Sequence, residues 1–210
     1  MKKIILAATV SLFVVAAYAA ETNATPELVE ARYNKAIEGR TADILKTLAL
    51  ADADKAAKVH DDIIAQYRAL KAWHDENDAK LKASAKDANA VAQIRTSLKM
   101  IHDGFLAKLS ESLTPEQIEK VKDKLTYGKV QFTFAGYLTA YTNLADEHQQ
   151  KILELLKQAR EEAMDGGSAD EKTAVFQRYK GKINNYLSKQ GVHAEKKTTG
   201  SKAETNSPPK

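Results

Sequence analysis

The sequence predicts an all-α protein: an irregular multi-helix bundle with one short extended aromatic segment. Three observations carry this. Apolar residues recur at steps of three and four through most of the chain, as they do on one face of a helix. Thr, Asp or Ser stands where such runs begin, twice followed directly by proline. A single stretch, Val130 to Phe134, alternates apolar and polar with a period of two.

Thr25-Pro26 opens the first predicted helix, with threonine as cap and proline at the first position, where a missing N–H matters least. Gly39 is expected to break it, and Ile44, Leu45 and Leu48 form a short stripe beyond. Asp52 or Asp54 caps a long helix whose face is Val59, Ile63, Tyr67, Leu70 and Trp73. Polar residues from Asp75 to Lys86 loosen the pattern. The next helix carries Val91, Ile94, Leu98, Ile101, Phe105 and Leu109. Leu113-Thr114-Pro115-Glu116-Gln117 starts another, with Thr114 as cap and Gln117 placed to reach back to it. Ile118, Val121 and Leu125 are its apolar face, and Gly128 ends it.

Of the chain's 8 tyrosines, 5 phenylalanines and 1 tryptophan, five residues crowd into the next stretch: Tyr127, Phe132, Phe134, Tyr137 and Tyr141. Gly128 and Gly136 bracket its alternating part, which reads as extended. Phe132 and Phe134 are expected in the core, with the tyrosines at its edge, since a hydroxyl tolerates water. The other reading is a flat aromatic surface for sugar rings or unfolded chains.

Helix resumes with Ile152, Leu155, Leu156 and Ala159. Asp165-Gly166-Gly167-Ser168 stops it and starts the last helix, with Ser168 as cap and Glu171 three residues later. Val175, Phe176, Tyr179, Ile183, Tyr186 and Leu187 form the last apolar side, closed by Gly191. Within it Gly181, Asn184 and Asn185 are poor helix formers. They are expected either to let another backbone pack close or, with Lys180 and Lys182, to hold a ligand.

The two ends have a different character. Lys2 and Lys3, the apolar run Ile4–Ala17 and Ala17-Tyr18-Ala19 have the pattern of a cleaved signal peptide over residues 1–19. A single helical domain is expected over 20–193 and a disordered tail over 194–210, rich in Lys, Thr, Ser and Pro. The expected location is outside the cytoplasm, periplasmic or extracellular, with no stable membrane insertion once the signal is cut.

Lys and Arg number 32 against 28 Asp and Glu, but the excess sits at the ends and the body is balanced. A basic face for nucleic acid is therefore not expected. With no cysteine, thiol catalysis, disulfides and zinc ribbons are excluded. G-x-S-x-G, H-E-x-x-H, P-loop and G-x-G-x-x-G patterns are absent from the sequence.

Two pairs of residues have chemical spacing. His74 and Asp78 lie four apart and share a helix face, but His60 with Asp61 and Asp62 is too far along that helix to complete a metal shell. Glu161 and Asp165 are also four apart. Paired carboxylates serve glycoside hydrolysis only across a cleft, and these two are expected to face water or meet Lys and Arg. No catalytic residue, metal or cofactor is assigned. The ligand-binding candidates are Tyr127, Tyr137, Tyr141, Lys180, Lys182 and Asn184.

Leu113-Thr114-Pro115-Glu116-Gln117 resembles the L-T-x-x-Q motif of the periplasmic Spy/CpxP family. That resemblance implies an exported helical chaperone working without ATP, although the expected second motif is reduced to Leu144. A broader resemblance rests on four stretches. They are Thr126-Tyr127-Gly128, Gly136-Tyr137-Leu138, Ala159-Arg160-Glu161-Glu162-Ala163-Met164-Asp165 and Tyr179-Lys180-Gly181-Lys182-Ile183-Asn184-Asn185-Tyr186-Leu187-Ser188. Together these resemble a family of exported bacterial proteins carrying a domain of unknown function. It implies a link to polysaccharide use and transfers no functional residues. The leading expectation is thus a non-enzymatic exported binding or accessory protein taking a glycan. An unfolded-protein client is the first alternative, and a carbohydrate-active hydrolase or lyase using Glu161, Asp165 or Lys180 the second.

Overall fold

The computed structural model describes residues 25–194, which form seven α-helices. They are α1 (Pro26–Leu48), α2 (Ala53–Ala83), α3 (Ala88–Ser112), α4 (Pro115–Leu125), α5 (Lys129–Ala140), α6 (Asp146–Met164) and α7 (Ala169–Lys189). The predicted signal peptide, and the predicted tail beyond Ala194, lie outside the described residues. Among the described residues no helix is long and apolar enough to cross a membrane.

The helix starts follow the capping chemistry. Thr25 Oγ1 accepts from the Leu28 N–H, and Asp52 Oδ1 accepts from Lys55 N–H at 3.0 Å. Thr114 and Gln117 form a reciprocal capping box, with Gln117 N–H donating to Thr114 Oγ1 and Thr114 N–H to Gln117 Oε1. Ser168 Oγ accepts from Glu171 N–H at 3.1 Å. Each such cap contributes about 1 kcal/mol.

Gly39 does not break α1. The buried positions Ile37, Thr41, Ile44 and Leu48 run through it at helical spacing, and a continuing apolar face outweighs the roughly 1 kcal/mol that one glycine costs.

The aromatic stretch is the larger correction: it is helix α5, and the extended segment does not form. Its buried residues are Val130, Thr133 and Tyr137, at steps of three and four. Phe132, expected in the core, is 80% exposed, while Tyr137, expected at the edge, is 8% exposed. Five residues cannot separate a period of two from one of 3.6, and a polar Thr133 on the inner face concealed the helical one. The chain turns into α5 through two left-handed residues, Tyr127 at φ 59° and Gly128 at φ 63°. Glycine holds that conformation freely, whereas Tyr127 is strained by about 1–2 kcal/mol.

The chain falls into two compact units, divided between Ala69 and Leu70. In the first, the Tyr33 hydroxyl donates to the Tyr67 carbonyl at 2.7 Å, and His60 Nε2 meets Glu38 Oε2 at 2.9 Å. Those bonds tie α1 to the first part of α2.

In the second unit α6 packs against α4, α5 and α7, and α3 against α4. Ile152, Leu156 and Ala159 of α6 meet Phe176, Ile183 and Leu187 of α7 in one core that also takes in Val130 and Tyr137. Full burial of each large side chain there contributes about 1.5–3 kcal/mol. A smaller cluster joins Leu70, Trp73 and Leu98, and Trp73 Nε1 donates to Ser97 Oγ at 2.8 Å. Arg160 of α6, 2% exposed, donates to Asp123 Oδ1 at 2.6 Å and Glu119 Oε2 at 2.5 Å, both on α4.

Candidate functional site

Two concave regions of the second unit gather aromatic and polar side chains. The first is an open groove of about 510 Å³ between α5 and α7, lined by Phe132, Tyr137, Tyr141, Thr139, Lys180 and Asn184 among others. Tyr137 and Tyr141 are four apart on α5, so they share a face. Their rings lie 6.0 Å apart with 27° between planes. The Tyr137 hydroxyl donates to Asn184 Oδ1 at 2.8 Å, with the Lys180 carbonyl a second acceptor at 3.2 Å. Burial, then Tyr141 beside it, pushes the Tyr137 hydroxyl up to about 12, so it remains a neutral donor. Gly136 opens onto space, which keeps the wall low between Phe132 and the tyrosines.

Four of the six sequence candidates, Tyr137, Tyr141, Lys180 and Asn184, are therefore brought together. Tyr127 and Lys182 are not among them. Tyr127 is 46% exposed in the α4–α5 turn. Lys182 places its ammonium 3.9 Å from the centre of the Tyr179 ring, a cation–π contact. Gly181 makes no close approach, since a Cβ there would meet open space. Asn184 bonds the Tyr137 side chain rather than any extended backbone. Phe132 is the groove residue that the sequence reading placed in the core.

The second region is a cavity of about 260 Å³ between α2, α3, α6 and α7, with Trp73, His74, Asp78, Arg95, Asp165 and Glu171 on its walls. The turn Asp165–Ser168 assembles it. His74 Nε2 donates to the Asp165 carbonyl at 2.7 Å, and His102 Nδ1 donates to Asp165 Oδ1 at 2.9 Å. The residue that caps the C-terminus of α6 thus holds histidines from α2 and α3. Gly167 lies so close that a Cβ there would come within 2.8 Å of His74 Cγ, so only glycine leaves the imidazole its place.

Nδ1 of His74 faces Asp78 Oδ1 at 2.8 Å and Glu171 Oε2 at 3.8 Å. Burial opposes charge on His74, but the bonds to Asp165 and Asp78 prevail and raise its pKa above the usual imidazole value. For His102 the bond to the Asp165 side chain leads, against burial, and the shift is also upward. The ligand atoms of His74, Asp78 and Glu171 lie within 4.8 Å of one another, so these three could hold a metal.

Glu161 and Asp165 do not form a free carboxylate pair. Lys122 Nζ donates to Glu161 Oε2 at 2.9 Å, Arg160 Nη2 lies 3.4 Å from Glu161 Oε1, and Asp165 is bonded to His102. Each is a partner of a cationic or donor group, as expected from their place on one helix.

No curated protein matches the chain. A family model described as "Protein of unknown function (DUF3826)" matches residues 34–203, a span that contains both concave regions. The broader resemblance, carried by the four stretches between Thr126 and Ser188 and expected to cover about Pro26 to Gly191, is borne out by this match, and the chain belongs to the DUF3826 family of proteins of unknown function.

Proposed function

We propose that this protein is an exported, non-enzymatic binding protein that takes a neutral glycan in the groove between α5 and α7 and serves a polysaccharide-using system. The observation that carries the reading is the groove's composition. Exposed Phe132 and the stacked Tyr137–Tyr141 pair offer apolar faces, and Lys180, Asn184 and the tyrosine hydroxyls offer polar groups beside them. Pyranose rings need this pairing, with C–H faces against aromatic rings and hydroxyls against a few fixed polar groups. Export rests on the residue pattern of positions 1–19.

A thermal-shift screen of the protein against neutral and acidic oligosaccharides tests this. At 100 times its dissociation constant, a ligand adds about 2.7 kcal/mol, which raises the melting temperature of a domain of this size by roughly 6–10 °C. A dose-dependent shift confined to one glycan class is expected. No shift with any glycan would contradict the reading.

The exposed apolar residues Phe132 and Leu138 on α5 favour one second reading, capture of unfolded chains. Suppression of a denatured client's aggregation, with no glycan response, is the result that would select it.

A further inference from the structure

We propose that His74, Asp78 and Glu171 form a binding site for one divalent transition-metal ion of the zinc type, separate from the groove. The two nitrogens of the His74 ring have different partners. Nε2 gives its hydrogen to the Asp165 carbonyl, 2.7 Å away. Nδ1 is then left to face two carboxylate oxygens, Asp78 Oδ1 at 2.8 Å and Glu171 Oε2 at 3.8 Å. When the ring is charged, the Nδ1 proton sits among these oxygens, and a metal ion would take that proton's place.

The spacing fits a metal. Nitrogen and oxygen ligands about 2.1 Å from a tetrahedral ion lie about 3.4 Å from one another, and the two measured separations bracket that value. Imidazole with two carboxylates is a donor set for zinc and its first-row neighbours rather than for magnesium or calcium, which prefer oxygen alone.

The supporting bonds are those of a metal site. The Asp165 carbonyl fixes the imidazole's orientation and leaves Nδ1 as the ligand atom. Gly167 N–H donates to Glu171 Oε2 at 2.8 Å and steadies the carboxylate. Outer bonds of this kind orient ligands and tune their basicity. The Trp73 ring stands edge-on to the imidazole, 5.0 Å between centres, and closes one side. Asp78 and Glu171 remain half exposed, so an ion can enter from solvent. Three protein ligands leave a fourth position that opens on the 260 Å³ cavity, where water or a ligand oxygen would bind.

The test uses the full chain, stripped with chelator and titrated with zinc chloride by calorimetry and with cobalt chloride by visible absorption. One equivalent of zinc is expected to bind, and cobalt to develop the absorption bands of a low-coordinate nitrogen–oxygen site. Asp78→Asn and Glu171→Gln each keep the side chain's shape, and each should weaken zinc at least tenfold while circular dichroism stays unchanged. His193→Ala, far along the chain beyond α7, should leave affinity unaltered. Absence of saturable one-to-one zinc binding overturns the proposal. So does zinc binding that survives both carboxamide variants, or a site that takes magnesium or calcium in preference to zinc.

Discussion

The groove and the cavity belong to the same unit and use opposite materials. The groove on α5 and α7 is aromatic, with one ammonium at its margin and its inner hydroxyl already bonded to Asn184. The cavity is walled by imidazole, carboxylate and guanidinium groups, most of them bonded to one another. The difference teaches where substitution should hurt. Groove residues at the rim have a face in solvent and support little structure, so removing them should affect binding more than stability. Charged residues around the cavity are each other's partners, so removing one leaves another uncompensated and should destabilise the fold.

The largest expected effect lies in another charged cluster of the same unit, the one that joins α6 to α4 outside the cavity's walls. Arg160→Ala removes the buried partner of Asp123 and Glu119. Breaking such a pair costs about 3 kcal/mol, at the lower end of the usual range because both carboxylates keep some solvent. Urea unfolding should show this as a lower midpoint at unchanged slope. A change within 0.5 kcal/mol would mean that this cluster does not support the fold.

Next comes the inner wall of the groove. Tyr137→Phe deletes the hydroxyl that Asn184 and the Lys180 carbonyl accept from, and should cost about 1 kcal/mol. An unchanged midpoint would place Tyr137 with the rim residues instead.

The third effect is a slope with pH. His102 has a raised folded-state pKa from its bond to Asp165, with Glu161 and Asp103 adding to it against burial. Arg95 and Lys99 also line the surface beside it. The sign follows from protonation. Charged His102 stabilises the fold fully below its unfolded value of about 6.5, and that contribution is lost as pH rises through the higher folded value. Stability should therefore decline from about pH 6.5 upward, and His102→Gln should flatten part of the decline. A variant with the full wild-type slope would remove His102 from the explanation.

The smallest stability effect belongs to the groove rim. Phe132→Ser, at an exposed position, should shift stability by no more than about 0.5 kcal/mol. A loss several times larger would show that Phe132 supports the fold after all.

The helices were largely legible because caps and spacing are local. Thr25, Asp52, Thr114 and Ser168 all cap where the sequence places them. The groove was half legible. A local concentration of aromatics marked α5, but Thr133 on its inner face and Phe132 on its outer face reversed the expected sides. The cavity was least legible. His74 and Asp78 are a visible pair on one helix, yet Asp165, Glu171 and the close approach of Gly167 come from the far side of four intervening helices. Such a meeting is set by packing and leaves only the Gly166-Gly167 pair as a local trace.

The most direct measurement is a calorimetric titration of the screened oligosaccharide into the wild-type protein and into Phe132→Ser and Tyr141→Ala. Saturable binding to the wild type, weakened at least tenfold in both variants whose folds are intact, is the predicted result. Binding of equal strength in all three proteins would contradict the assignment of the groove as the ligand site.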